Sequence, residues 1–108
     1  MNFDINSVLA DMLSAMKGTV GDKWEEVKSV ANLFLEHSKE RLELIAELRI
    51  TGELTQEKFE SRLLDEKLIV EAELNAVKVI SKALAQKAAN AAIEVVEKAV
   101  GTAIIAAL

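Results

Sequence analysis

Four glutamates, Glu36, Glu40, Glu43 and Glu47, recur at spacings of four, three and four, and the chain's one histidine, His37, stands beside the first. On a helix that spacing lines four carboxylates along one side. Carboxylate-bridged metal bundles use such side chains, because two hard cations need bridging oxygens together with a neutral nitrogen ligand, supplied by a Glu-x-x-His pair. Here the histidine precedes Glu40 by three residues instead of following a glutamate, and the stripe falls opposite the centre of its helix's apolar arc. The residues describe a solvated acidic face, with a metal bundle as a distant alternative. No metal or other cofactor is expected.

A second constellation is structural. His37 and Arg41 fall inside the apolar arc of the helix expected at about 22–50, and Glu66 inside that of the next one. An antiparallel hairpin turning near the chain midpoint sets residue i beside about residue 106 minus i, which brings Arg41 near Glu66. A buried polar layer of His37, Arg41 and Glu66 is therefore expected, with Arg41 paired to Glu66 and fixing helix register at some cost in stability. The alternative places Arg41 at the rim, its stem on the apolar surface and its head in water.

Other chemistry is excluded by what the chain lacks. It has no cysteine, which removes disulfides, thiolate zinc sites and thiol nucleophiles. There is no glycine-rich phosphate loop and no Ser-His-Asp arrangement with its context, and a catalytic carboxylate pair would need a partly buried pocket. Trp24, Phe34 and Phe59 are spaced as core residues, and aromatics at 4% cannot line a stacking groove. The net charge of −5 repels a phosphate backbone, and the four lysines against two glutamates in residues 74–108 are a small counterweight. Neither an enzyme nor a nucleic-acid binder is expected. The segment "MNFDINSVLADMLSAMKG" carries Asp4 and Asp11 where a signal peptide would be apolar, so cytoplasmic residence is the expectation.

The elements that position these residues are helical. The chain has 108 residues, 51% of them hydrophobic, with no proline and four glycines, which suits one all-α domain over 1–108. A short helix is expected at about 4–17, with Asp4 as N-cap and Phe3 and Val8 as a hydrophobic staple, ended by "GTVG" at 18–21. Asp22 and Glu25 match a capping box opening the second helix, whose core arc takes in Trp24, Val27, Val30, Ala31, Leu33, Phe34, Leu42, Leu44, Ile45 and Leu48.

The stretch "TGELT" then reads as a helix-to-helix turn. Gly52 supplies a left-handed conformation, Thr55 caps the next helix, and Leu54 with Phe59 forms a second staple. The third helix, at about 55–101, meets no further glycine before Gly101 and would extend for about 70 Å at 1.5 Å per residue if continuous. A break near "QKAANAA" is the alternative. The surrounding string "LRITGELTQEKFESRLLDEK" resembles the short helical hairpin found at the C-terminus of many bacterial proteins. It is central here, capping physics alone generates it, and nothing about function is carried over.

The whole reads as a long antiparallel hairpin in which the short first helix continues the direction of the second. The third helix is apolar on two lines. Phe59, Leu63, Val70, Leu74, Val77 and Leu84 form one, and Leu68, Ala72, Ala76, Val79 and Ala83 form the other, which is the expected interface. Leaving the second line in water favours self-association, with a dimer completing a four-helix-type bundle. A fold-back of the first helix or the C-terminal segment, giving a compact monomer, is the alternative.

The function class that follows is a non-enzymatic oligomerisation, scaffold or adaptor protein, with an unidentified protein partner also compatible. The runner-up is a membrane-surface protein, since "AVGTAIIAAL" at 99–108 is uncharged, although ten residues are half of what a spanning helix needs.

Overall fold

In a computed structural model that describes residues 3–108, the chain forms four α-helices: α1 (Ile5–Val20), α2 (Trp24–Ile50), α3 (Gln56–Ala76) and α4 (Lys82–Ala107). A 3-10 turn, Gly21–Lys23, joins the first two. The fold is all-α, with no strand among the described residues.

Each boundary has a local cause. The Asp4 carboxylate accepts the Asn6 backbone N–H at 3.0 Å, satisfying a donor left open at the start of α1, and also accepts the Ser7 hydroxyl at 3.0 Å. Gly18 is carried inside α1, so the helix runs three residues past the expected end, and the chain leaves it at Gly21, whose φ of +61° suits glycine. The capping box expected at Asp22 does not form. Asp22 lies in the 3-10 turn, where the Trp24 N–H bonds to the Gly21 carbonyl, and Glu25 turns to Lys28 at 2.7 Å. At "TGELT", Gly52 has φ +86°, the Leu54 N–H bonds to the Leu48 carbonyl at 2.9 Å, and the Thr55 hydroxyl accepts from the Lys58 N–H at 3.2 Å.

The expected continuous third helix is two helices. α3 stops at Ala76, Lys78 takes a left-handed φ of +64°, and the Ser81 hydroxyl accepts the Leu84 N–H at 3.0 Å to open α4. The break falls at "VKVIS" rather than "QKAANAA". Val77, Val79 and Ile80 are β-branched and lose side-chain freedom in a helix, and Ser81 favours a cap, whereas the alanines farther on are the best helix formers.

The four helices pack in ring order. α1 packs most extensively on α4, α3 lies between α2 and α4, α2 also meets α1, and α2 and α4 touch lightly across the centre. The molecule measures 43 × 22 × 20 Å. That length overturns two expectations: α1 continuing α2 would reach about 65 Å, and one helix over 55–101 about 70 Å. Instead α1 folds back, setting Phe3, Ser7 and Asp11 beside Val95, Lys98 and Thr102 of α4. One chain thus makes a four-helix bundle in which α1 covers α4.

The core takes Met12 and Met16 from α1, Val27, Phe34 and Leu42 from α2, Phe59, Leu63, Val70 and Leu74 from α3, and Val96 and Val100 from α4. Trp24 sits half-buried at its edge. On α2 the buried face is rotated from the expected arc: Leu33 and Leu44 are exposed, while Leu35, Ser38 and Ala46 are buried. The cause is that α2 is packed from two sides, by α1 and α3, so its interior face is wider and differently centred than a single hairpin seam.

Candidate functional site

Arg41 and Glu66 come together across the α2–α3 seam. Arg41 Nε donates to Glu66 Oε1 at 2.6 Å and Nη2 to Oε2 at 3.0 Å, a bidentate pair. A third donor, Nη1, reaches the His37 carbonyl at 3.1 Å. The side chains are unequally placed, Glu66 being 6% exposed and Arg41 47%. The hydrogen bonds that Arg41 donates to Glu66 raise its pKa above the ordinary value, with the charges of Glu66 and Glu73 adding to the rise against some loss of solvation.

The expected three-residue buried layer is corrected in two respects. The His37 side chain is exposed and contributes only its backbone carbonyl. The buried polar group of that turn is Ser38, whose hydroxyl lies 3.5 Å from the Leu35 carbonyl. His37 lies on the outward side because the interior face of α2 is centred on the Ser38 and Leu42 side. What remains is a pair anchored inside by Glu66 and reaching the rim through Arg41. With Nε, Nη1 and Nη2 of Arg41 each donating, the arrangement orients the two helices.

Glu36 and Glu40 are exposed and Glu43 and Glu47 half-buried along the outer side of α2. Among the described residues, no group of three or more His, Asp or Glu side chains converges to hold a metal ion. An open depression of about 480 Å³ between α1 and α4 has Phe3, Val8, Val95 and Ala99 as its apolar wall, with Asp4, Asp11 and Lys98 at the edges. Asp4 is already committed to its cap. A second depression, of about 270 Å³, lies between α3 and α4 and includes Leu64, Lys67, Asn90 and Glu94.

The remaining candidate is the outer face of α3. Leu68, Ala72 and Ala76 follow one another at four-residue intervals and are all exposed. Val79 is exposed in the connection and Ala83 in the first turn of α4, so the expected five-residue stripe is divided by the helix break. Two residues outside the expected interface belong to this face: Leu64, 49% exposed on the line of Leu68, and Ile69, 40% exposed beside it. The four-residue repeat Leu64, Leu68, Ala72, Ala76 was the signal that identifies Leu64. Elsewhere the apolar face of α4 is buried as far as Ala103, leaving Ile105 and Leu108 projecting. No described helix is long and apolar enough to cross a membrane. Comparison with known proteins adds no relative: no family model, curated protein or solved structure matches the chain.

Proposed function

We propose that this protein is a non-enzymatic helical assembly module: a self-contained four-helix bundle that presents the outer face of α3 to a second copy of itself, in a structural or scaffold role. The observation that carries the reading is the line of uncharged residues, Leu64, Leu68, Ala72 and Ala76, with Ile69 beside it, exposed along one helix, whereas Leu33 and Leu44 of α2 are exposed eleven residues apart. The reading is further supported by the burial of the α4 apolar face as far as Ala103, which leaves lipid little to bind.

The energetics favour a weak, concentration-dependent complex. Covering a few hundred Å² of apolar surface at about 25 cal/mol per Å² supplies on the order of 10 kcal/mol. Lost rigid-body freedom costs about 4–15 kcal/mol, so the balance is narrow. Light scattering over a wide concentration range tests the reading: the wild-type chain should rise from monomer to dimer mass, and Leu68→Glu should remain a monomer with unchanged helicity and melting. A wild-type monomer at every concentration overturns it.

A further inference from the structure

We infer that the connection between α3 and α4, residues 77–81, is a hinge that opens into continuous helix, so that two copies of the chain exchange α4 and rebuild the same four-helix bundle twice. The inference is independent of the outer face of α3 and concerns the interface that α4 already makes inside one chain.

The connection holds two opposed preferences. Of the three turns between helices, two place glycine at positive φ, Gly21 at +61° and Gly52 at +86°. The third places Lys78 there, at +64°, a conformation strained for a residue with a Cβ. From Gln56 to Val100 the chain has no glycine or proline to stop a helix. The end of α3 is closed by two tight bonds to the third residue back, from the Val77 N–H to the Leu74 carbonyl at 3.3 Å and from the Lys78 N–H to the Asn75 carbonyl at 3.2 Å. Continuing the helix would relieve Lys78 and give the last carbonyls of α3 regular partners. Against this, Val77, Val79 and Ile80 are β-branched, and the Ser81 hydroxyl caps α4 through the Leu84 N–H. A short connection under strain invites exchange between copies.

Two relationships show that a straightened chain suits the same core. Leu74 and Ala85, buried on either side of the break, are eleven residues apart, about three turns, so a continuous helix sets them on one side. Val77 and Leu84, partly buried between them, fall on the same broad face. The register agrees as well. Glu60 and Lys67 of α3 line one depression with Glu97 and Asn90 of α4, and antiparallel packing pairs Glu60 with Glu97 and Lys67 with Asn90. Residue i of α3 therefore lies beside about residue 157 minus i of α4. Two continuous helices related by a dyad between Lys78 and Val79 reproduce that pairing between chains, α3 of one against α4 of the other. The packing of α4 on α1, α2 and α3 is kept, and only the connection changes. The fused helix over 56–107 would run for about 78 Å.

Ser7 on α1 and Lys98 on α4 are exposed and border one depression, and the chain has no cysteine. Ser7→Cys combined with Lys98→Cys, bridged by a short bismaleimide, therefore reports which chain supplies α4. The protein is unfolded in urea, refolded at high concentration and separated by mass. The monomer fraction should bridge internally and serves as the control. The dimer fraction should bridge into a covalent dimer, and unbridged dimer should return to monomer on dilution only at the slow rate of unfolding. Internal bridging within the dimer fraction, or no dimer at any refolding concentration, overturns the exchange.

Hinge variants give a second arm that needs no cross-link. Val79→Ala with Ser81→Ala removes a β-branched residue and the cap, and should raise the dimerisation constant of the refolded chain at least about tenfold. Lys78→Gly relaxes the turn and is a poor helix former, and should lower that constant at least about fivefold. Equal constants in the wild type and both variants overturn the hinge. Leu68→Glu separates the two modes of association. The exchanged dimer should survive that substitution unchanged, whereas its loss would assign the refolded dimer to the outer face of α3 and overturn the exchange.

Discussion

The guanidinium of Arg41 and the carboxylate of Glu66 are 25 residues apart in sequence and joined by two hydrogen bonds of 2.6 and 3.0 Å across the α2–α3 seam. A one-turn slip of either helix would separate them by about 5.4 Å and leave a carboxylate enclosed by apolar neighbours without a partner. The pair therefore specifies register more than it adds stability. A surface ion pair contributes little, but an enclosed charge stripped of its partner is costly.

Arg41→Met should therefore destabilise the bundle by about 2 kcal/mol, below the 3–5 kcal/mol of a fully buried pair because Arg41 is half in water. Arg41→Met combined with Glu66→Leu should recover most of the loss, since both polar partners are then gone. Urea unfolding of the two variants decides it. Equal stability of wild type and Arg41→Met would show that Glu66 does not depend on the pair.

A second ion pair gives a pH prediction. Glu25 meets Lys28 at 2.7 Å, and the hydrogen bond and charge of Lys28 hold its carboxyl below the ordinary glutamate value. A carboxylate with a depressed folded-state pKa contributes stability that is present above its unfolded pKa and lost as pH falls through the folded one. Carboxyl NMR should find Glu25 titrating lower in the folded chain than in the unfolded one, and Lys28→Met should move it back up. An unchanged Glu25 midpoint in Lys28→Met would remove Lys28 as the cause.

Two turns place different residues in the same left-handed region, and the substitutions that test them run in opposite directions. Gly52, at φ +86°, has open space around an added Cβ, so Gly52→Ala should cost only backbone strain, about 1–2 kcal/mol. Lys78, at φ +64°, carries that strain already. Lys78→Gly should relieve it and, after the entropy lost from a more flexible unfolded chain, stabilise by about 0.5 kcal/mol. Thermal unfolding of both variants is the check, and a destabilised Lys78→Gly would mean that the Lys78 side chain contributes more than its conformation costs.

The parts of this fold that were legible in the sequence are those governed by short-range chemistry. The turn around Gly52 and Thr55, the cap at Asp4 and the placement of Arg41 opposite Glu66 follow from residue type and hairpin geometry. The break after Ala76 was missed because no glycine or proline marks it: three β-branched residues and a serine give only a weak local signal, which tertiary folding turns into a boundary. Reversal of α1 stood only as the alternative because the "GTVG" stretch shows that the chain bends without showing by how much. His37 and Leu44 fell on the wrong side for a related reason. The apolar positions of α2 cover so wide an arc that its inward centre depends on two neighbouring helices, information held outside α2 itself.

The alanines of α4 give the most direct test of the fold-back. As residues with high helix propensity, those at 83, 85, 88, 89, 91 and 92 are compatible with either an extended hairpin or a closed bundle. In the bundle their environments differ sharply: Ala85, Ala88, Ala89 and Ala92 are fully enclosed, whereas Ala83 is exposed. The enclosed alanines hold α4 close to its neighbours, α1 above all, and leave no room for a longer side chain. Ala92→Leu should overpack that contact and cost about 1–3 kcal/mol, while Ala83→Leu should change stability by no more than about 0.5 kcal/mol at dilutions where the chain is monomeric. Urea midpoints of the two variants make the comparison. Equal tolerance at both positions would mean that α4 is not packed as described, and the closed four-helix bundle would fall with it.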